Sequence, residues 1–231
     1  MVHAGDDRSI TESLESLPHI ARSVRAFIGD RPFAVGPSAI GMRDNPYGEA
    51  PMANPGNIRQ AMNRNDPRQR GLLGAAWSLG YYAHFAYGGA EAIALGGAVG
   101  PFGIAQAPAS FPQPWFDDHG GLFPAFHTMR GLARLAGARL RQVENSAPRE
   151  VQALAVRTQS GQHEMWLANL TGEPRRVALD PAIASGEFAM LDAERFVTAA
   201  KTPEMMDRLS KLGAGGEIEL DAYAVARLRS A

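Results

Sequence analysis

The chain has 231 residues, 45% of them hydrophobic and 20% charged, with a formal net charge of -1. That is enough apolar material for one or two folded domains, and a near-neutral balance gives no electrostatic reason to expect a nucleic acid or an anionic membrane as partner. The absence of cysteine excludes disulfides, a thiol nucleophile and thiolate metal sites, and it fits a reducing, cytoplasmic compartment. The 25 glycines and 16 prolines fall short of a low-complexity composition and instead predict many turns. Lys201 and Lys211 are the only lysines, and the arginines are scattered rather than clustered. The N-terminal "MVHAGDDRSITESL" lacks the basic and apolar regions of a secretory signal, and no run approaches the ~18 apolar residues of a membrane span.

In chain order, "MVHA" reads as the end of a strand. "SITE" then places Ser9 and Glu12 at capping-box spacing, which predicts a helix from Ser9. Leu14, Leu17, Ile20, Val24, Phe27 and Ile28 form its apolar stripe, and Pro18 either kinks it or divides it. "RPFAVGPSAIG" reads as a buried strand at Phe33 to Val35 followed by a long polar loop. A second helix opens at "DPRQ", with Asp66 as cap, Pro67 in the first turn and Gln69 bonding back. It runs through Leu72, Trp77 and Phe85 to the stop at Gly88 and Gly89. "EAIAL", Glu91 to Leu95, is a short apolar strand of the parallel kind. "LFPAFHTMRGLARLAGARL" gives a third helix, with Phe123, Phe126, Met129, Leu132 and Leu135 on one face. Helix and strand alternate to this point, as in a parallel α/β arrangement. From Arg141 onward "REVQALAVRT", "QHEMWLANLT", "RRVALD", "GEFAMLD" and "GEIELDAYAVARL" are short, roughly alternating segments between turns. They predict an antiparallel β-sandwich interrupted by a helix or loop at "TAAKTPEMMDRLSKLG".

These elements divide the chain into 1–140, three βα units that suggest the last part of a (β/α)8 barrel, and 141–231, the sandwich. A small open α/β domain is the alternative for the first part. A full barrel takes roughly 250 residues. Exposed strand edges and uncovered helix faces would then favour association, either as a homo-oligomer or with a separate N-terminal barrel half. On the same grounds the segment after Arg141 is expected to be the more independent unit.

"VHAGDDRSITESLESLPHIARSVRAF", "VGPSAIGMRDNPYG", "NPGNIRQAMNRNDPRQRGLLGAAWSLGY", "GPFG" with the following "FPAFHTMRGLARLAGARL", and "MWLANLTGEPRRV" resemble the C-terminal half of the D-apionate lactonase family. The resemblance runs from Val2 to about Val177 and implies a glycosidase-like barrel with an appended β-sandwich. It also implies hydrolysis of a branched-sugar lactone, D-apionolactone, to D-apionate, with a small sugar lactone or sugar acid as the ligand and no cofactor. A non-catalytic remnant or a carbohydrate-interacting module is the alternative. Glycosidase chemistry itself needs two carboxylates at a fixed separation. The segment aligned with the seventh barrel strand, Val35 to Met42, contains no acidic residue.

Chemistry in such barrels sits at the C-terminal ends of the strands. His3, Asp6 and Asp7 are candidates there for a general base, for sugar hydroxyls or for a metal; equally, the two aspartates suit a helix N-terminus. Arg43 presents a planar fork to a lactone carbonyl or product carboxylate. Asp44 either joins it or steadies the loop, and Asn45 and Tyr47 are candidate hydroxyl and ring contacts. Phe102 in "GPFG" and Trp115 in "WFDDHGG" could stack on a sugar. "GGAVGPFG" is no phosphate loop, because no helix follows it. Neither a G-x-S-x-G elbow nor an H-E-x-x-H zinc signature occurs.

Overall fold

The structure, a computed structural model, describes residues 6–43, 63–64, 66–100, 102–108, 120–213 and 215–230. The "MVHA" strand and the candidates His3, Asp44, Asn45, Tyr47 and Trp115 lie outside the described residues, and only the backbone of Arg43 lies within them.

The first helix starts earlier than the capping box at Ser9 suggests. Asp6 is the N-cap of α1 (Asp7–Glu12): its Oδ1 accepts the Ser9 N–H and its Oδ2 the Ser9 hydroxyl, both at 2.8 Å. A 3-10 turn at Ser13–Ser16 leads into α2 (Leu17–Ile28), with Pro18 in the first turn, where its missing N–H would have no helical partner. The proline thus joins two helices and does not kink one. Ile10, Leu14, Leu17 and Ala21 are buried, whereas Ile20 and Phe27 are exposed, so the buried stripe leaves the predicted one after Leu17.

Next come β1 (Ala34–Ser38), β2 (Met42–Arg43) and β3 (Asn63–Arg64), then a 3-10 turn at Pro67–Arg70 that runs into α3 (Leu72–Tyr87). Asp66 accepts the Arg68 N–H as a cap, but of this turn and not of the helix expected to open there, which starts at Leu72 behind Gly71. β4 (Ala92–Leu95) follows and pairs parallel with β1, Ala34 opposite Ala92 and Val35 opposite Ile93. β1 is not the buried strand expected at Phe33 to Val35. It alternates: Val35, Ile93 and Leu95 pack toward the core under α3, while Ala34, Gly36, Ala92 and Ala94 are exposed. In a closed barrel that small-residue face is the one that points inward. β5 (Ala105–Gln106), β6 (Gly121–Leu122) and α4 (Pro124–Ala133) complete the α/β part.

The remainder contains β7 (Arg139–Arg141), β8 (Val151–Arg157), β9 (His163–Asn169), β10 (Arg175–Ala178), α5 (Pro181–Ala184), β11 (Glu187–Leu191), α6 (Phe196–Lys201), β12 (Ser210–Lys211), β13 (Glu217–Leu220) and β14 (Val225–Arg229). Six strands form an antiparallel sheet in the order β12-β11-β14-β9-β8-β7, and β10 pairs with β13 in a second, two-stranded sheet. Period-two alternation gives the large sheet two apolar faces. Val151, Leu167, Ala226 and Leu228 pack with Ile218 and Leu220 of the small sheet. Leu154, Val156, Trp166, Ala168 and Val225 join the core of α3 and the N-terminal helices. One core therefore spans Ile10 to Val225, so one face of the large sheet packs on the α/β part. α3 is buried nearly all round, because β4 and α2 cover one side while β8, β9 and α4 cover the other.

At the seam, Gly131 of α4 lies on the indole of Trp166. A Cβ there would fall 2.1 Å from Cη2. Beside it the Glu164 carboxylate accepts hydrogen bonds from Arg227 Nε and Nη2 at 3.0 Å and from Trp166 Nε1 at 2.9 Å. Asp207 accepts from Arg227 at 3.0 Å, Arg130 at 2.7 Å and Arg134 at 2.5 Å. Burial pushes the Asp207 carboxyl up, but the Arg130 and Arg134 hydrogen bonds outweigh it and hold the group below its ordinary value.

Candidate active-site rim at the strand ends

β1 and β4 run in the same direction, and the loops that leave their C-terminal ends are tied together by one buried side chain. Gln69, 1% exposed, accepts the Ile40 N–H at 2.9 Å through Oε1 and donates through Nε2 to the Gly103 carbonyl at 3.3 Å. It does not bond back to its own helix, as its place in "DPRQ" suggested. The loop after β4 closes on itself, with Gly97 N–H donating to Phe102 O at 2.8 Å and Gly103 N–H to Gly100 O at 2.9 Å. The Phe102 ring then lies directly on Gly41, where a Cβ would sit 2.0 Å from a ring carbon. Only glycine permits that approach. Lower on the strand, the Ser38 and Tyr81 hydroxyls are 2.6 Å apart, and burial pushes the Tyr81 phenol up.

Three helical N-termini face the same rim. Arg68 donates to Asp66 through Nε and Nη2, the latter at 2.6 Å, and its Nη1 reaches Asp7 Oδ1 at 3.4 Å. Burial pushes the Asp66 carboxyl up, yet the Arg68 hydrogen bonds prevail and hold it below its usual range. The Arg70 guanidinium stands 5.5 Å from the ring centroid of Phe123, the N-cap of α4. Asp7 Oδ2 lies 3.5 Å from the hydroxyl of Tyr223, which belongs to the turn between β13 and β14.

Of the sequence candidates, Asp6, Asp7 and Phe102 fall on this rim, and the backbone of Arg43 continues it from the loop after β1. Asp6 has both oxygens engaged by Ser9, and those bonds hold its carboxyl below the ordinary value. Asp7 has a half-exposed side chain. Trp77 is core, and so is His127, whose Nε2 donates to Ala199 O at 2.9 Å. Among the described residues, no group of three or more His, Asp or Glu side chains is placed to hold a metal ion, and no helix is long and apolar enough to cross a membrane. A cavity of about 950 Å³ opens in the sandwich between β8, β9 and β10, and no rim residue lines it.

Comparison with known proteins places this geometry. Residues 1–137 match the model of the D-apionate lactonase TIM barrel domain, and residues 148–228 match that family's C-terminal immunoglobulin-like domain. The chain belongs to the D-apionate lactonase family. The D-apionate lactonase of Brucella anthropi is 40% identical over 179 residues, which are 78% of this chain and 28% of that protein. The chain thus spans well under half the length of that relative. Three solved structures share the fold at 12% identity: an arabinofuranosidase (TM-score 0.65, covering 99% of this chain and 50% of that one), the GH51 α-L-arabinofuranosidase of Thermotoga petrophila RKU-1 (0.62, 99% and 50%) and a conserved exported protein of Bacteroides fragilis (0.59, 98% and 44%). Within the family's barrel, the rim is the strand-end face on which barrel chemistry is built.

Gln69, Arg68 and Tyr223 are the rim residues that sequence reasoning missed. "DPRQ" announces a cap, but no local signal says that a glutamine side chain will face two loops 29 and 34 residues away. Tyr223 in "DAYA" carries no periodic signal at all.

Proposed function

We propose that the chain serves hydrolysis of a small sugar lactone, of the D-apionolactone to D-apionate type, at the strand-end rim. The observation that carries this is the family match over both the barrel and the immunoglobulin-like segments, and the gathering of polar groups at the strand ends supports it. Asp7 is the base: its carboxylate takes a proton from a water molecule as the water oxygen bonds to the lactone carbonyl carbon. Arg43 meets the oxyanion that forms, in the manner of a preorganised donor. When the tetrahedral intermediate collapses, the ring C–O bond breaks and the proton on Asp7 passes to the departing alkoxide, giving the hydroxy acid. Asp6 holds the start of α1 and therefore the position of Asp7. His3, Asn45, Tyr47, Phe102 and Trp115 contact the sugar.

The test is turnover of D-apionolactone by the 231-residue chain in a pH-stat, with the Brucella anthropi enzyme as control. Asp7→Asn is expected to lower kcat by about 100-fold or more, the usual contribution of a general base. Failure of the chain to exceed buffer hydrolysis, with the control active, would refute the reading.

A further inference from the structure

Among the described residues Tyr223 is the one non-glycine residue with positive φ, at 57°. A bulky side chain in that conformation is costly, and such outliers persist where the surroundings over-determine them and a site makes use of them. The surroundings here are built by Asn169, which is fully buried. Its Nδ2 donates to the carbonyls of Glu173, Leu220 and Asp221 at 2.7, 3.2 and 2.9 Å, while its Oδ1 accepts the Thr171 N–H and hydroxyl at 2.9 and 2.8 Å. One side chain thus locks two sandwich loops together. Tyr223 N–H then donates to Thr171 O at 3.1 Å, and Ala224 N–H closes the turn on Asp221 O at 3.0 Å. The outcome is a phenol carried out of the sandwich to Asp7 Oδ2, with Arg68 at the other oxygen of the same carboxylate.

We infer that Tyr223 is a positioning residue for Asp7, by which the immunoglobulin-like segment completes the rim of the barrel segment. The inference rests on the reading of Asp7 as base. Tyr223 and Arg68 each approach one oxygen, at 3.5 and 3.4 Å, so together they bias the carboxylate plane, while the half-exposed side chain keeps lone pairs open to take a proton from water. The left-handed backbone is the cost of presenting the ring from this turn.

Tyr223→Phe removes the hydroxyl and keeps the ring. Tyr223→Asn removes both but suits a positive φ, since asparagine tolerates that region. Both variants are expected to lower kcat of the 231-residue chain about fivefold, with KM within about twofold, the scale of one lost hydrogen bond. The thermal midpoint should be unchanged in Tyr223→Phe and unchanged or raised in Tyr223→Asn. In an Asp7→Asn background, Tyr223→Phe should have no further effect on kcat. If Asp7→Asn is inactive while both Tyr223 variants keep wild-type kcat, the positioning role is wrong and the base stands. If Asp7→Asn keeps wild-type kcat, or the wild-type chain shows no turnover, the base assignment falls and this inference with it. A structural role alone would show as a lowered midpoint with kcat and KM unmoved, and would also overturn it.

Discussion

Replacing Glu164 by Gln tests the seam between the two segments with little change of volume. The carboxylate is 2% exposed and takes both Arg227 Nε and Nη2 at 3.0 Å as well as Trp166 Nε1 at 2.9 Å. In the amide one oxygen becomes an NH2 group that faces an arginine N–H, and the charge that neutralised a guanidinium only 7% exposed is gone. Breaking a buried pair from one side costs about 3–5 kcal/mol. Here Asp207 Oδ1 at 3.0 Å and Met206 O at 3.1 Å still hold Arg227 Nη1, so the lower end of that range applies, about 3 kcal/mol. Arg227→Met alone leaves Glu164 with Trp166 Nε1 at 2.9 Å and Arg229 Nε at 3.8 Å and should cost about 3 kcal/mol, whereas the double variant removes both charges and should cost less than the two singles together by about 2 kcal/mol or more. Urea unfolding followed by tryptophan fluorescence measures all three. A cost under about 1 kcal/mol for Glu164→Gln, or additivity within about 0.5 kcal/mol, would refute the claim that this pair is a buried unit.

Three further outcomes follow from the same structure. His127 and His84 both have pKa values held below 6.5, by burial first, so the folded state resists protonation while the unfolded chain accepts it; stability should be level above about pH 6.5 and decline below it until the folded state also protonates. Asp207, held below 3.8, adds a further loss as pH falls through its folded value, and a urea midpoint flat down to about pH 4.5 would contradict the histidine part. Gly131→Ala forces a methyl onto the fully buried Trp166 ring, and the overpacking of about 1–3 kcal/mol should exceed the roughly 1 kcal/mol gained in helix propensity, a sign that chemical denaturation reads directly. A polypeptide of residues 142–231 alone, deprived of the α3 cover over Leu154, Val156 and Trp166, should bind a hydrophobic dye and unfold without a sharp transition; cooperative unfolding with native-like tryptophan emission would show that the sandwich stands alone.

Elements governed by local rules were legible in the sequence. Asp66 and Pro67 mark the start of the 3-10 turn before α3, Gly88 its end, and the run at Ala92 the parallel strand. Period-two segments after Arg141 became antiparallel strands. Legibility stopped where one element's environment is set by a distant one. Glu164 and Arg227 occupy positions that read as outward-facing polar residues of half-buried strands, and nothing nearby says that α4 covers that face. The exposure of Phe27 and the burial of Ala21 likewise depend on where α3 lies, not on the spacing within α2. Asp6 and Asp7 were placed together at a strand end by sequence; the structure separates them, one into a cap closed on Ser9 and one toward Arg68 and Tyr223.

The family models meet between residues 137 and 148, but the packing does not divide there. β7 at Arg139–Arg141 already pairs with β8, and α3 serves two sheets at once, the parallel pair on one side and the antiparallel sheet on the other. A helix in that position has no solvent face, which is why Leu73 through Phe85 are apolar or small almost without interruption. Two sheets sharing one helix have their relative position fixed by close packing, and a packed core holds one arrangement rather than sliding. Gly131 against Trp166 and the Glu164, Arg227 and Asp207 network lock the same arrangement from α4. It is this rigidity that lets a turn of the sandwich deliver a hydroxyl to within 3.5 Å of a carboxylate 216 residues away in the chain; a sandwich attached by a flexible linker could not hold that contact.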